Sequence, residues 1–223
     1  GEGNEVGSNG TIEIHDGRGN AAKLLNRMLW NLVRKLNIKI SSFNSGNKHN
    51  AIPREAFAVV TVSNAAKNDF EACIAQWNDV MKKEYASKEP GLTIFAEPTS
   101  IPERVMADDL ARRLVNSFYA MPHGVIRMSP DIKGLVQTST NFAIVETREN
   151  EVYVLTSQRS SVETEKKYVE EMVKSSFELG GAEVKSGDGY PAWEPNVNSP
   201  ILNTAKEIYT RMYGHEPKIE AIH

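Results

Sequence analysis

The apolar residues of this chain switch between helical and strand spacing, and the switches come in the same order twice. Leu25, Leu29, Leu32 and Leu36 recur at helical spacing, supported by Leu24, Met28 and Val33. Such a stripe marks an amphipathic helix. Ile38-Lys39-Ile40 then starts a strand that ends near the turn cluster Asn44-Ser45-Gly46-Asn47. Phe57 to Val62 is a second strand, rich in β-branched residues. Phe70, Ile74, Trp77 and Met81 mark a second helix. After the break at Pro90-Gly91, Leu92-Thr93-Ile94-Phe95 reads as a third strand. Thr11 to Ile14 fits a short strand ahead of the whole series.

The next stretch repeats that order. Ser100-Ile101-Pro102-Glu103 has the form of a helix start, with proline in the first turn, and Val105, Leu110, Leu114 and Phe118 supply the stripe. Pro122-His123-Gly124 ends it. Gly134 to Glu146 and Glu151 to Gln158 are two strands joined at Arg148-Glu149-Asn150 as a hairpin. Ser160-Ser161-Val162-Glu163 has the pattern of a capping box for a helix reaching Leu179. Gly180-Gly181 closes that helix, and Ala182 to Lys185 starts another strand. The last helix opens at Ser199-Pro200 and stops at Gly214, with Ile201, Ala205, Ile208 and Met212 on one side.

The expected fold class is therefore α+β. Two βαββαβ-like, ferredoxin-like passes lay helices on a mostly antiparallel sheet. The repeat is one of order, not of residues. The expected divisions are a flexible leader or artificial boundary over residues 1–10, a first α+β half over 11–99, a second over 100–187, and a linker, helix and strand over 188–223. The leader has four glycines and one large apolar residue, too little to offset the entropy of ordering it. The loop from Asp188 to Pro195 reads as a surface linker packed by Tyr190 and Trp193, or as a substrate-side loop.

Composition excludes several functions. The net charge is −3 and no run of four basic residues occurs, which argues against nucleic acid. The single Cys73 excludes an intrachain disulfide and multi-cysteine metal sites, and its apolar neighbours suggest a buried thiol. No apolar run reaches the roughly 20 residues of a membrane helix, and no signal peptide is visible. A cytoplasmic, reducing location is expected. The histidines, His15, His49, His123, His215 and His223, show no metal-ligand spacing on a helix. No phosphate loop, dinucleotide fingerprint or nucleophile elbow is present. Gly17-Arg18-Gly19-Asn20 reads as a tight turn feeding the first helix, with a weak anion-site pattern as the alternative.

Two residues stand out for binding. Asn50, in Asn50-Ala51-Ile52-Pro53-Arg54-Glu55, carries an amide that both donates and accepts. Arg159, in Gln158-Arg159-Ser160-Ser161, carries a planar fork matched to a carboxylate. The plainer readings are an asparagine serving its own turn and a surface arginine.

Several segments resemble the lid, or dimerisation, portion of the aminoacyl-histidine dipeptidases, carnosinase-like enzymes of the zinc aminoacylase/carboxypeptidase metallopeptidase superfamily. They are Glu13-Ile14-His15, Gly17 to Leu25, Asn50 to Phe57, Pro122 to Arg127, Lys133 to Asn141, Gln158 to Ser161, Gly189 to Trp193, and Ile222-His223. The resemblance implies a parent metallodipeptidase that hydrolyses aminoacyl-histidine dipeptides with two zinc ions. It implies that Asn50 contacts the substrate backbone and that Arg159 clamps its carboxylate. It implies no catalytic residue and no metal ligand in this chain. The implied partners are the dipeptide, a catalytic domain of the same polypeptide and a second copy in a homodimer. The chain alone is expected to be inactive. Where the family carries an oxyanion-stabilising histidine, this chain has Asn9, either a true replacement or an artificial linker. Asn141 reads as structural or site-lining, and His49 as an exposed side chain. The alternative is a free-standing α+β dimerisation or small-molecule-binding module without catalysis, or a ligand-sensing regulatory domain; fold alone does not decide among these.

Overall fold

A computed structural model of the chain describes residues 14–187, 189–196 and 198–219. The leader, Asn9, most of the strand expected from Thr11, and the terminal Ile222-His223 lie outside the described residues. The described elements are five helices, α1 (Ala21–Lys35), α2 (Lys67–Glu84), α3 (Asp108–Ala120), α4 (Glu163–Glu178) and α5 (Pro200–Tyr213). Five strands accompany them: β1 (Lys39–Ser45), β2 (Ala56–Thr61), β3 (Gly124–Met128), β4 (Val136–Thr147) and β5 (Val152–Ser160). Every pairing is antiparallel. The class is α+β, and strands from both passes join one sheet.

The core lies between that sheet and the helices. Met28, Leu29, Leu32 and Val33 of α1, Ala111, Val115 and Phe118 of α3, and Val173 and Phe177 of α4 meet Ile40, Phe43, Phe142 and Val145 of the sheet. Phe118 is the centre. Its ring meets Phe43 at 5.4 Å, Phe142 at 4.9 Å and Phe177 at 6.3 Å, each edge to face, the arrangement favoured by the ring quadrupole. Ile40 and Phe43 are three residues apart, yet both are fully buried. A bulge between Ile40 and Ser42 makes this possible, because one extra residue inverts the alternation.

β4 is longer than either neighbour on one of its edges. β3 pairs with its first part, from Val136 to Thr140, and β1 with its last, through Ser45 and Val145. Phe142 falls in the gap. Its backbone is satisfied by side chains instead of a strand. The Asn20 amide donates to its carbonyl at 2.8 Å, and its N–H donates to Nδ1 of His123 at 3.3 Å. Thr147 closes the lower end of the seam. Its hydroxyl bonds the N–H and carbonyl of Phe43, and its N–H donates to Asn44 Oδ1 at 2.8 Å. A buried backbone group must find a partner, and here the seam finds them in side chains.

Several expectations are corrected. Residues 92–95 form no strand; Leu92 and Ile94 are half-buried, and the Ile94 N–H donates to Asn78 Oδ1 at 2.9 Å. Their alternation reflects packing on α2 without a ladder. Residues 182–185 form no strand either, and only Val184 reaches the core. The helix expected from Ser100 starts at Asp108. Residues ahead of it follow β1, with Met106 N–H donating to the Ile40 carbonyl at 2.7 Å and Ser41 Oγ to the Arg104 carbonyl at 2.7 Å. β3 was hidden behind the stop signal at Pro122-His123-Gly124, because five residues are too few to show a period. The capping box does not form: Val162 is the N-cap and makes no side-chain cap bond. Ser160 Oγ instead accepts the Val162 N–H, and Glu163 accepts from the Ala192 N–H. Cys73 is half-buried rather than buried. Tyr190 and Trp193 are 61% and 69% exposed, so polar contacts to Glu163 and Lys166, not these rings, attach their loop.

Candidate functional site

Asn50 sits in the turn between β1 and β2, and fixed contacts hold that turn on several sides. Gly46 leaves β1 with φ +71, and a Cβ there would collide with the Ala143 carbonyl oxygen. Only glycine meets both demands. Ser45 Oγ donates to the Glu55 carbonyl at 2.7 Å, drawing the two ends of the turn together. The Pro53 carbonyl accepts the Ala21 N–H at 3.0 Å, joining the turn to the first turn of α1. The Asn141 amide donates to the Ala51 carbonyl at 2.7 Å, joining it to β4. The Asn50 side chain itself makes no hydrogen bond among the described residues and is half-exposed.

Arg159 is the second-last residue of β5 and lies opposite Ser139 of β4. Asn141 lies opposite Ser157. Opposed residues of an antiparallel pair share a face, as do residues two apart. Arg159, Ser157, Ser139 and Asn141 therefore share one face. Thr138, Thr140 and Phe142 take the other, where the Thr138 and Ser160 hydroxyls meet at 2.9 Å and Gln158 donates to Thr140 at 3.2 Å. Phe142 belongs to the core, so the helices cover that second face and Arg159 stands on the one turned from them. The Arg159 guanidinium makes no hydrogen bond or ion pair among the described residues. Asn141 thus ties the turn of Asn50 to the strand pair carrying Arg159. The two attachment points are separated by two residues along the strands, about 7 Å.

Behind the turn is a polar cluster that sequence reasoning missed. Asn20 caps α1, its Oδ1 accepting the Lys23 N–H at 3.1 Å while its amide serves Phe142. Asn directly before an apolar helical stripe was the available signal. Lys23 Nζ donates to the carbonyls of Phe118, Tyr119 and Met121 at 2.6, 3.2 and 2.7 Å. It thereby caps the C-terminal end of α3, where the helix dipole favours a cation. Burial pulls the Lys23 pKa down to about 8. Burial, and then the nearby Lys23 charge, lower His123 to about 4. The ring is therefore neutral near pH 7, and since Nδ1 accepts from Phe142 its proton is on Nε2.

His49 is exposed and makes no contact with this cluster. Residues 17–20 are irregular chain between a short 3-10 helix (Ile14–Asp16) and α1, with Gly17 at φ +73. Among the described residues no group of three or more His, Cys, Asp or Glu is placed to hold a metal ion. The side chains described therefore do not fit the zinc pair that the resemblance implies for a parent enzyme. No described helix is long and apolar enough to cross a membrane.

Comparison with known proteins gives this geometry its context. Residues 4–89 match the family described as peptidase dimerisation domain. The cytosol non-specific dipeptidase of Escherichia coli (strain K12) is 34% identical over 211 residues, covering 95% of this chain and 44% of the relative. The crystal structure of aminoacylhistidine dipeptidase from Vibrio alginolyticus matches with a TM-score of 0.90 and 34% identity, over 95% of this chain and 43% of that one. The chain thus spans less than half the length of the relatives it matches. Residues 4–89 thus resemble the peptidase dimerisation domain, and over 95% of its length the chain is similar to a portion of these dipeptidases.

Proposed function

We propose that this chain is the lid of a metal-dependent dipeptidase acting on aminoacyl-histidine dipeptides. Asn50 holds the substrate backbone and Arg159 its terminal carboxylate. The observation that carries the reading is a pair of polar side chains, both without partners among the described residues, on backbones fastened to each other through Asn141. Binding groups on a pre-positioned scaffold lose little entropy when a ligand arrives. The guanidinium fork meets a carboxylate in two parallel hydrogen bonds, and the Asn50 amide can satisfy a peptide carbonyl or N–H. Closure of such a lid would exclude water from the reacting bond and align it.

The reaction itself belongs to residues beyond this segment, where two zinc ions would polarise the scissile carbonyl and activate water. The chain alone is inactive on this reading. A homodimer forms through the segment matched as a dimerisation domain, which holds α1, β1, β2 and α2. β2 ends the sheet and leaves Phe57 64% exposed, features of an edge open to pairing. A cytosolic location accords with the name of the Escherichia coli relative.

The test uses the full polypeptide and an aminoacyl-histidine substrate. Arg159→Ala removes charge-assisted hydrogen bonds and is expected to raise KM about 10- to 100-fold; Asn50→Ala raises it less. An unchanged KM in Arg159→Ala would overturn the assignment, and hydrolysis by the 223-residue chain supplied with zinc would overturn the division of labour. The second reading is a free-standing dimerisation or ligand-binding module, which the match of residues 4–89 to a dimerisation domain would suit equally. It gains if the full polypeptide shows no hydrolysis with any dipeptide.

A further inference from the structure

We infer that Asn141 is a positioning residue: it sets the Asn50 turn over the face that carries Arg159, without touching the ligand. This rests on the reading of Asn50 and Arg159 given above. Asn141 is 2% exposed, on a strand of the sheet. Its amide nitrogen donates to the Ala51 carbonyl at 2.7 Å, while its Oδ1 is sealed from solvent and has no hydrogen-bond partner among the described residues. The amide cannot be turned over, because Oδ1 would then face the Ala51 oxygen and two acceptors would repel. A buried acceptor without a partner is destabilising, and a β-branched or aliphatic residue would suit this position in a strand better. The bond it does make is placed one residue from Asn50.

The other fastenings of the turn hold its ends and not its tip. Ser45 and Glu55 close the base, and Pro53 is joined to α1. Ala51 has one further backbone bond, a long one of 3.4 Å to the Lys48 carbonyl. The Asn141 amide is therefore the short contact that ties the tip to β4. Since Asn141 opposes Ser157, and Arg159 follows two residues on, the same side chain references the amide of Asn50 to the guanidinium of Arg159. Oδ1 is too enclosed to meet a ligand. Asn141 therefore acts through the turn and is not itself a contact residue.

The test is a mutant cycle in the full polypeptide, read with two independent measurements. Asn141→Leu keeps the size of the side chain and removes both polar atoms. It should raise KM for the aminoacyl-histidine substrate at least 5-fold, with kcat changed less and the thermal midpoint not lowered. A residue that merely supports the fold would lower that midpoint and leave KM alone. The double variant with Asn50→Ala should be no worse than Asn50→Ala by itself, since both act through one group. Independent penalties that multiply, or a KM within 2-fold of the parent in Asn141→Leu, would overturn the inference. The second measurement is amide hydrogen exchange over residues 48–52, expected to speed up at least 10-fold in Asn141→Leu while β2 is unchanged. Unchanged exchange there overturns the clamp whatever the substrate proves to be. An Arg159→Ala control without effect, alongside faster exchange in Asn141→Leu, would remove the proposed ligand and leave the tether standing.

Discussion

At the scale of single residues, the seam in the sheet is controlled by groups that must stay in one protonation state or one backbone conformation. His123 accepts from the Phe142 N–H only while neutral. Its pKa is lowered from 6.5 to about 4 in the folded chain, so between these values the unfolded chain binds more protons. The stabilisation is complete above pH 6.5 and is lost as pH falls toward 4. It is on the order of 3 kcal/mol. His123→Asn offers an acceptor at a similar reach but cannot titrate; urea unfolding at pH 7 and pH 4.5 should show a smaller acid loss than in the parent. Gly46 is the other such residue. Gly46→Ala would combine a strained positive φ with a collision against Ala143 and should cost more than about 2 kcal/mol in the same unfolding experiment. Asn50 and Arg159 are proposed as binding residues from residue chemistry and family resemblance. His123 could not be found that way, because nothing in Pro122-His123-Gly124 says that the break between β3 and β1 along β4 lies beside it.

At the scale of elements, the long amphipathic segments were the legible ones. α1, α2, β1, β2, β4 and β5 all lie where apolar spacing puts them, with ends shifted by a few residues. Short apolar runs were not decidable. Leu92 to Phe95 and Ala182 to Lys185 have the alternation of strands, yet neither pairs with the described sheet. Val125-Ile126 has too little pattern to read and becomes part of β3. Capping shows the same limit. Lys23 lies on α1 but caps α3 through three carbonyls, a role that sequence position does not reveal. Lys23→Met keeps the aliphatic stem and removes those bonds. It should lower stability by about 2–3 kcal/mol and hasten amide exchange in the last turn of α3. By deleting one of the two causes that depress it, the same change should raise the His123 pKa, which the imidazole NMR titration would report.

At the scale of the molecule, stability and exposed apolar surface are divided unequally. The sheet and α1 to α4 share the buried core. α5 has an apolar side in sequence but no buried residue, with Ile201 78%, Met212 66% and Tyr213 59% exposed. Removing residues 198–223 should leave the urea midpoint of the rest within error, because little burial is lost. A large drop would show that α5 is part of the same cooperative unit. Among the described residues α5 is therefore an apolar helix without cover.

The α+β class and the long elements could be read from the chain before it folded, and the proposed roles of Asn50 and Arg159 start from side-chain types visible there. Those follow from local spacing and side-chain chemistry, which a linear string carries in full. Tertiary structure decided that both passes share one sheet, that a histidine and an asparagine fill the gap in it, and that Asn141 ties Asn50 to the strand pair of Arg159. Each of these depends on which backbone groups are left without partners after the strands have paired, and that remainder exists only once the chain has folded.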